Sequence, residues 1–408
     1  MDMEKEKREY LEYGFVTILS VLVFLIVMSL FTGKGLFDTN VYNTYALQAN
    51  AWKQGRLDLG QDYPWLELAI FQGRYYCSFP PFPSYVLFPL TFIWGSNTPD
   101  FLLIWIFDLI GAVFLYKMGA KLGLSPKGAM VGTFFLMLGS NFVFVMIDPS
   151  VWFIAQTMCF TLSVLALYYA ISGKGAQALF FWACGGGCRP MQAVFLPVLL
   201  VILYRYVKAR EPYAHWYQII LKRLKWILPG GVVGASYMWL NFLRFGNAFE
   251  FGHNYLPEFV QAADGQFHIH YMKENLKVLF RLPEFTEDGK LMINSMGNLN
   301  LFLVSPILLF MLLVLVYALF KKAYKQVLTG VGIILLSAVY MLIVVMHKTM
   351  GGWHFGNRYT NDILPWTYLA VCVITSRFPG LVKYQVPLCI WGICLNIVGT
   401  VCVYNGLV

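Results

Sequence analysis

The chain has 408 residues, of which 59% are hydrophobic and 12% charged, with a formal net charge of +9. Its mean hydropathy is +0.62. Soluble domains are about a quarter charged, so a soluble enzyme is excluded, and the placement of the bases described below excludes a nucleic-acid-binding role.

Residues 13–31 form an uninterrupted apolar run. At about 1.5 Å per residue it is long enough to cross a hydrocarbon core of about 30 Å. No small-residue cleavage site follows, so it reads as an anchor and not as a removed signal peptide. Further spans are expected near 101–119, 128–146, 151–171, 176–188, 190–204, 227–243, 301–320, 327–346, 363–376 and 386–403. The expectation is an all-α polytopic membrane protein with about eleven transmembrane helices, within a range of roughly ten to thirteen.

With the N-terminus cytoplasmic, these spans place most Lys and Arg on the cytoplasmic side. Lys117, Lys121, Lys127, Arg205, Lys208, Lys222, Lys321 and Lys325 are among them, with few acids. The positive charge is therefore positive-inside topology. Residues 81–95 are apolar but short, with prolines at 81, 83 and 89. Counted as a crossing they would move Lys117, Lys121 and Lys127 outside, so they read as an interfacial or re-entrant element.

The whole of 1–408 then reads as one transmembrane domain with three exoplasmic loops. The first spans 32–100. It carries Asp38, and an amphipathic helix expected over Val41–Trp52, in the interface and ended by Gly55-Arg56. A loop this long is usually functional or disordered, and this one is too aromatic for disorder. The second loop, 244–300, holds His253, His268 and His270. The third, 347–362, holds Lys348, His354, Arg358 and Tyr359. Of eight cysteines only Cys77 lies in a clear exoplasmic loop, so no disulfide framework is implied. Cys184 and Cys188 flank three glycines, which favours close packing over a metal pair.

Several side chains could carry chemistry. Asp38 can act as a base at the membrane surface, or cap the helix that follows. Asp148, in a short turn before Pro149-Ser150, is either a turn acid or a second acid beside Asp38. Together the two could share the base role or hold a divalent metal, Mg or Mn, if the chemistry is metal-dependent. Arg189 lies between apolar segments, where an arginine is expensive unless it meets an anion or a partner. It can bind phosphate or pair with Asp108. Lys348, His354, Arg358 and Tyr359 are composed to hold a lipid phosphate, and Arg74 with Tyr76 offers a similar mix. His268 and His270 lack further ligands and make a weak metal site.

Read in order, these pieces resemble the C-type (GT-C) membrane glycosyltransferases, the superfamily of protein mannosyltransferases, aminoarabinose transferases and oligosaccharyltransferases. The resemblance rests on Asp38 soon after the first span, followed by Tyr42, Ala46, Gln48, Ala49 and Gly55-Arg56-Leu57. It continues through Gly73-Arg74-Tyr75-Tyr76, Pro80-Pro81-Phe82-Pro83, Asp148, Arg189-Pro190, the run Asn241–Asn247 and Gly356-Asn357-Arg358-Tyr359. It implies a polyprenyl-phosphate-linked sugar donor and a glycan, lipid or protein acceptor. It also implies an inverting displacement at the outer face of a plasma or equivalent membrane. Asp38 would be the acceptor-activating base, and Arg189, His354 and Arg358 would meet the donor phosphate. Two other classes compete: a transporter or flippase for a lipid-linked glycan, and a non-catalytic membrane assembly protein.

Overall fold

The computed structural model describes residues 2–289, 291–293, 296–297, 299–350 and 352–407. Lys290, Asn294, Ser295, Asn298 and Gly351, which fall in the loops 244–300 and 347–362, lie outside the described residues. The chain is mostly helical. It divides into two compact units, one made of Met1–Gly35, Trp105–Ile147 and Ile269–Val408, the other of Leu36–Ile104 and Asp148–His268.

Among the described residues six helices are long and apolar enough to cross a membrane: Glu4–Thr32, Asp100–Lys121, Val151–Ile171, Pro190–Lys208, Tyr324–Val345 and Pro379–Tyr404. Such helices suit a bilayer because every interior backbone group is bonded within the segment. The other five expected segments are also helical, but shorter, interrupted or less apolar. The segment 128–146 breaks into Pro126–Met137 and Phe142–Val145, and 301–320 into Leu301–Val304 and Pro306–Phe320. One break has a local cause and the other a distant one. Pro306 cannot donate to the preceding turn, and Asn141 is drawn into a polar network described below.

Phe82–Trp94 is helical and too short to be a span. The first loop also contains a feature the all-α expectation left out, an antiparallel hairpin pairing Leu68–Phe71 with Arg74–Cys77. Its two-residue turn has positive φ at both positions, 49° at Gln72 and 73° at Gly73. That is the type I′ geometry whose twist matches the flanking strands. Phe245 packs on Ala69 and Tyr76 over this hairpin. A second short hairpin pairs Glu284–Phe285 with Leu291–Met292.

The helix expected over Val41–Trp52 forms as Thr44–Lys53. Gly55 and Arg56 close it by donating to the carbonyls of Trp52 and Ala51, at 2.9 and 3.0 Å. It is more enclosed than an interfacial helix would be, with Thr44, Tyr45, Ala46, Gln48, Ala49 and Ala51 all buried. Ser84 accounts for part of this enclosure, its hydroxyl donating to the Tyr45 carbonyl and to Gln48 Oε1.

In the unit that contains both chain ends, Pro126–Met137 packs on Val382–Tyr404 and on the first helix. The approach near Gly139 and Gly392 is very close: a Cβ on Gly392 would lie 2.1 Å from the Gly139 carbonyl oxygen. Gly392→Ala should therefore lower stability by about 1–3 kcal/mol through overpacking. At Gly332 a Cβ meets nothing within 4 Å, so Gly332→Ala should leave the thermal midpoint in detergent unchanged or slightly raised. Equal midpoints for the two variants would contradict the packing.

Candidate functional site

The segment after the first helix is held by Asn40. Its backbone N–H donates to both oxygens of Asp100, at 3.0 and 3.3 Å. Its side-chain Nδ2 donates to Asp148 Oδ1 at 3.0 Å, and its Oδ1 accepts from the Tyr42 N–H at 2.7 Å. Asn40 thus ties the loop to two acids at once. Asp100 is the first residue of a candidate span, and Asp148 lies three residues before another. Both acids are buried, at 2% and 4% exposure. A buried carboxylate is costly unless its lone pairs are met. Here Asp148 Oδ1 also accepts from the Ser150 N–H at 2.6 Å and from the Ser150 hydroxyl. Three further bonds sew the same stretch down: Val151 N–H to the Tyr42 carbonyl at 3.0 Å, Thr39 Oγ1 to the Thr98 carbonyl at 3.2 Å, and Asn43 Nδ2 to the Ser96 carbonyl at 3.2 Å.

Asp38 sits two residues before this lock and is exposed. It does not cap the following helix; the N-cap is Asn43, without a side-chain cap bond. Asp148 is committed to Asn40 and Ser150. Among the described residues neither Asp38 nor Asp148 belongs to a group of three or more ligand side chains within reach of one ion. The acid that geometry places with Asp148 is Asp100, which the sequence reading counted only as a loop residue. Its signal was available: an Asp after Asn97-Thr98-Pro99, at the first turn of an apolar run.

Around the lock the loop is aromatic. Tyr42 meets Trp152 with ring centroids 5.3 Å apart. Trp152 Nε1 donates to Glu67 Oε2 at 2.9 Å, and Trp65 Nε1 donates to the Val41 carbonyl at 3.2 Å. Deeper in the same unit, Tyr45 Oη and Gln48 Nε2 are buried with no hydrogen-bond partner among the described residues. A cleft of about 240 Å³ is lined by Trp52, Gly55, Arg56, Leu57, Tyr85 and Leu240.

The remaining expected residues of this unit have distinct places. Arg74 is exposed at the hairpin turn, 3.5 Å from Asp58. Tyr76 is a core residue, its ring 5.2 Å from Phe245. Arg189 is half-buried, its backbone N–H bonded to the Gly185 carbonyl at 2.9 Å, and its charge helps to disfavour protonation of His253. Asp108 belongs to the other unit, where neither of its oxygens has a hydrogen-bond partner among the described residues. A buried cation in the unit of Arg189 is Arg244, donating to the Cys77 carbonyl at 3.1 Å and to Asn241 Oδ1 at 2.8 Å. His253 donates from Nδ1 to the Ser78 carbonyl at 3.1 Å, and burial lowers its pKa. Burial pushes the Cys77 thiol up to about 11, so it stays a thiol. The eight cysteines lie outside any disulfide. Asp264 Oδ1 stands 4.0 Å from His268 Nδ1, a carboxylate that the spacing of the histidines did not announce.

The 347–362 loop belongs to the other unit and is organised by Asn141. Its Nδ2 donates to the Phe355 carbonyl at 3.0 Å and to Asn396 Oδ1 at 3.3 Å, and its Oδ1 accepts from the Asn357 N–H at 2.8 Å. Arg358 is 7% exposed. Its guanidinium lies over the Tyr359 ring at 4.4 Å and donates to Tyr359 Oη at 3.0 Å. Tyr359 in turn donates to the Thr349 carbonyl at 3.2 Å. Lys348 is half-buried nearby in the chain. Asn357 is 2% exposed, and both polar atoms of its side chain lack a protein partner among the described residues. His354 is 1% exposed. Burial, then the charge of Arg358, lowers its pKa to about 3, so at neutral pH it brings no positive charge to an anion. Comparison with protein-family models, curated proteins and solved structures returns no match.

Two outcomes follow from these geometries. Asn40→Ala removes both side-chain bonds of the lock and should cost roughly 1–3 kcal/mol, and Asn40→Asp, which adds a carboxylate beside two others, should melt lower still. An Asn40→Asp midpoint equal to wild type would contradict the lock. His354 is depressed in the folded chain against about 6.5 unfolded, so its contribution is complete above pH 6.5 and is lost as pH falls toward 3. At pH 5 the chain should be less stable than at pH 7.5 by about 2 kcal/mol from this group, with His253 acting in the same direction. His354→Gln should flatten that dependence, measured as the thermal midpoint against pH.

Proposed function

We propose that this chain is a membrane glycosyltransferase that moves a sugar from a polyprenyl-phosphate donor to a glycan, lipid or protein acceptor. The observation that carries the reading is the exposed Asp38 beside the Asn40–Asp100–Asp148 lock. A carboxylate two residues from a bonded tether between the starts of two apolar helices would suit a substrate presented at a membrane surface. Positioning of this kind is what a general base requires.

In the proposed reaction Asp38 accepts the proton of an acceptor hydroxyl or amide. The acceptor atom attacks the anomeric carbon, the bond from that carbon to the phosphate oxygen breaks, and polyprenyl phosphate leaves with its electron pair. Configuration at the anomeric carbon inverts. A cation of the same unit, Arg189, would stabilise the phosphate as its charge develops. The unpartnered Tyr45 Oη and Gln48 Nε2, together with the aromatic cleft at Trp52 and Tyr85, suit hydroxyl-rich ligands. The reading also takes the topology of about eleven spans, with the N-terminus cytoplasmic and Asp38 on the exoplasmic face of a plasma or equivalent membrane.

Asp108 supports a second reading. An unpaired carboxylate within a span is a usual mark of translocation pathways, so a transporter or flippase for a lipid-linked glycan is the alternative. One pair of assays on the reconstituted chain separates them. Asp38→Asn should reduce sugar transfer by a factor of about 10² or more with an unchanged thermal midpoint. Full transfer by Asp38→Asn overturns the base, and lipid translocation without transfer favours the alternative.

A further inference from the structure

The segment between the helices Leu196–Lys208 and Ile227–Phe245 is unlike the other short connections. It holds a short helix, Trp216–Leu221, and a turn, Leu224–Trp226. Ile219 is buried at 3% and fastens the helix to its unit. The rest of the segment's apolar surface faces outward: Tyr213 is 96% exposed, Trp216 64%, Ile220 50%, Leu221 63% and Leu224 51%. Large apolar side chains this exposed and contiguous mark an interaction surface.

The charge on the same stretch is equally one-sided. Arg205, Lys208, Arg210, Lys222, Arg223 and Lys225 stand against a single acid, Glu211. Glu211 is already engaged, by Arg223 and by Lys222 at 3.8 Å. The Lys208 ammonium is spent on the Ala214 carbonyl at 2.7 Å, and the Arg210 guanidinium lies over the Tyr206 ring at 3.6 Å. Lys222, with 67% of its side chain exposed, Lys225 and the outer edge of Arg210 remain turned to the surroundings.

The place of the segment supplies the third element of the argument. It begins where the candidate span Pro190–Lys208 ends. Beyond Lys225 and the half-buried Trp226, exposed apolar side chains resume at the start of the next helix, Ile227 at 55% and Leu228 at 68%. The candidate span Pro190–Lys208 thus leads into a short apolar helix flanked by basic residues. Aromatic and aliphatic side chains at headgroup depth, with lysines and arginines beside them, are the composition of a segment lying in an anionic membrane surface.

We propose that residues 209–226 form an in-plane membrane collar that binds acidic phospholipid headgroups. The apolar side chains enter the acyl boundary, and Arg210, Lys222 and Lys225 meet lipid phosphates. The site is independent of sugar transfer and lies on the face opposite to the one proposed for it. Loss of the collar leaves the reaction residues untouched.

The test is binding of fluorescent phosphatidylglycerol and phosphatidylcholine analogues to the purified full chain in neutral detergent. The wild type should prefer phosphatidylglycerol at least tenfold, with a preference that weakens as salt rises. The triple variant Arg210→Gln, Lys222→Gln, Lys225→Gln should lose that preference while its phosphatidylcholine binding and melt stay unchanged. A control variant, Lys321→Gln, Lys322→Gln, Lys325→Gln, neutralises a basic turn elsewhere and should keep it. No preference in the wild type, full preference in the triple variant, or equal loss in the control would each overturn the proposal. If the triple variant fails to fold, Trp216→Ser with Leu221→Ser should weaken binding of both lipids, and unchanged binding would overturn it.

Discussion

The first loop depends on one asparagine. Asn40 uses its backbone N–H on Asp100 and both ends of its amide on Asp148 and Tyr42. Without it, two carboxylates at helix starts would be buried with fewer donors. A loop of some sixty residues would also lose its nearest fixed point to the membrane. A long loop costs little extra entropy per residue once its ends are fixed, so a small number of strong, buried bonds suffices to order it. The buried bonds of Asn40 to Asp100 and Asp148 are of that kind.

This arrangement divides labour among acids that look alike in sequence. Asp100 and Asp148 are buried and occupied, and their role is to anchor. Asp38 is exposed and lies two residues before Asn40. The same division appears among the cations. Arg244 is enclosed and bonded to the chain, Arg74 is at a hairpin turn, and Arg358 is held by Tyr359. The exposed acid and the buried acids that anchor the loop are thereby separate residues.

The coarse architecture was legible because hydrophobic runs and proline positions are local signals. Each of the eleven apolar segments read from sequence is helical, and Val151–Ile171 agrees at both ends. The break at 138–141 was not legible, since it accompanies bonds from Asn141 to Phe355, Asn357 and Asn396, more than two hundred residues away. The Leu68–Cys77 hairpin was missed although Gln72-Gly73 could have signalled its turn. At the site, Asp38 and Asp148 were visible as acids, but the partner of Asp148 was not. Asn40 and Asp100 are sixty residues apart, and only tertiary structure joins them. His354 looked like a phosphate-binding cation, and burial makes it neutral.

The central claim is an inverting displacement on a lipid-linked sugar, and the stereochemistry of the product tests it most directly. The purified, reconstituted chain would be given a polyprenyl-phosphate sugar of one defined anomeric configuration and a hydroxyl- or amide-bearing acceptor. The anomeric configuration of the product would then be read by proton NMR. The account predicts a product of opposite configuration to the donor. A product of retained configuration, or lipid translocation with no glycosidic product from any acceptor, would contradict it.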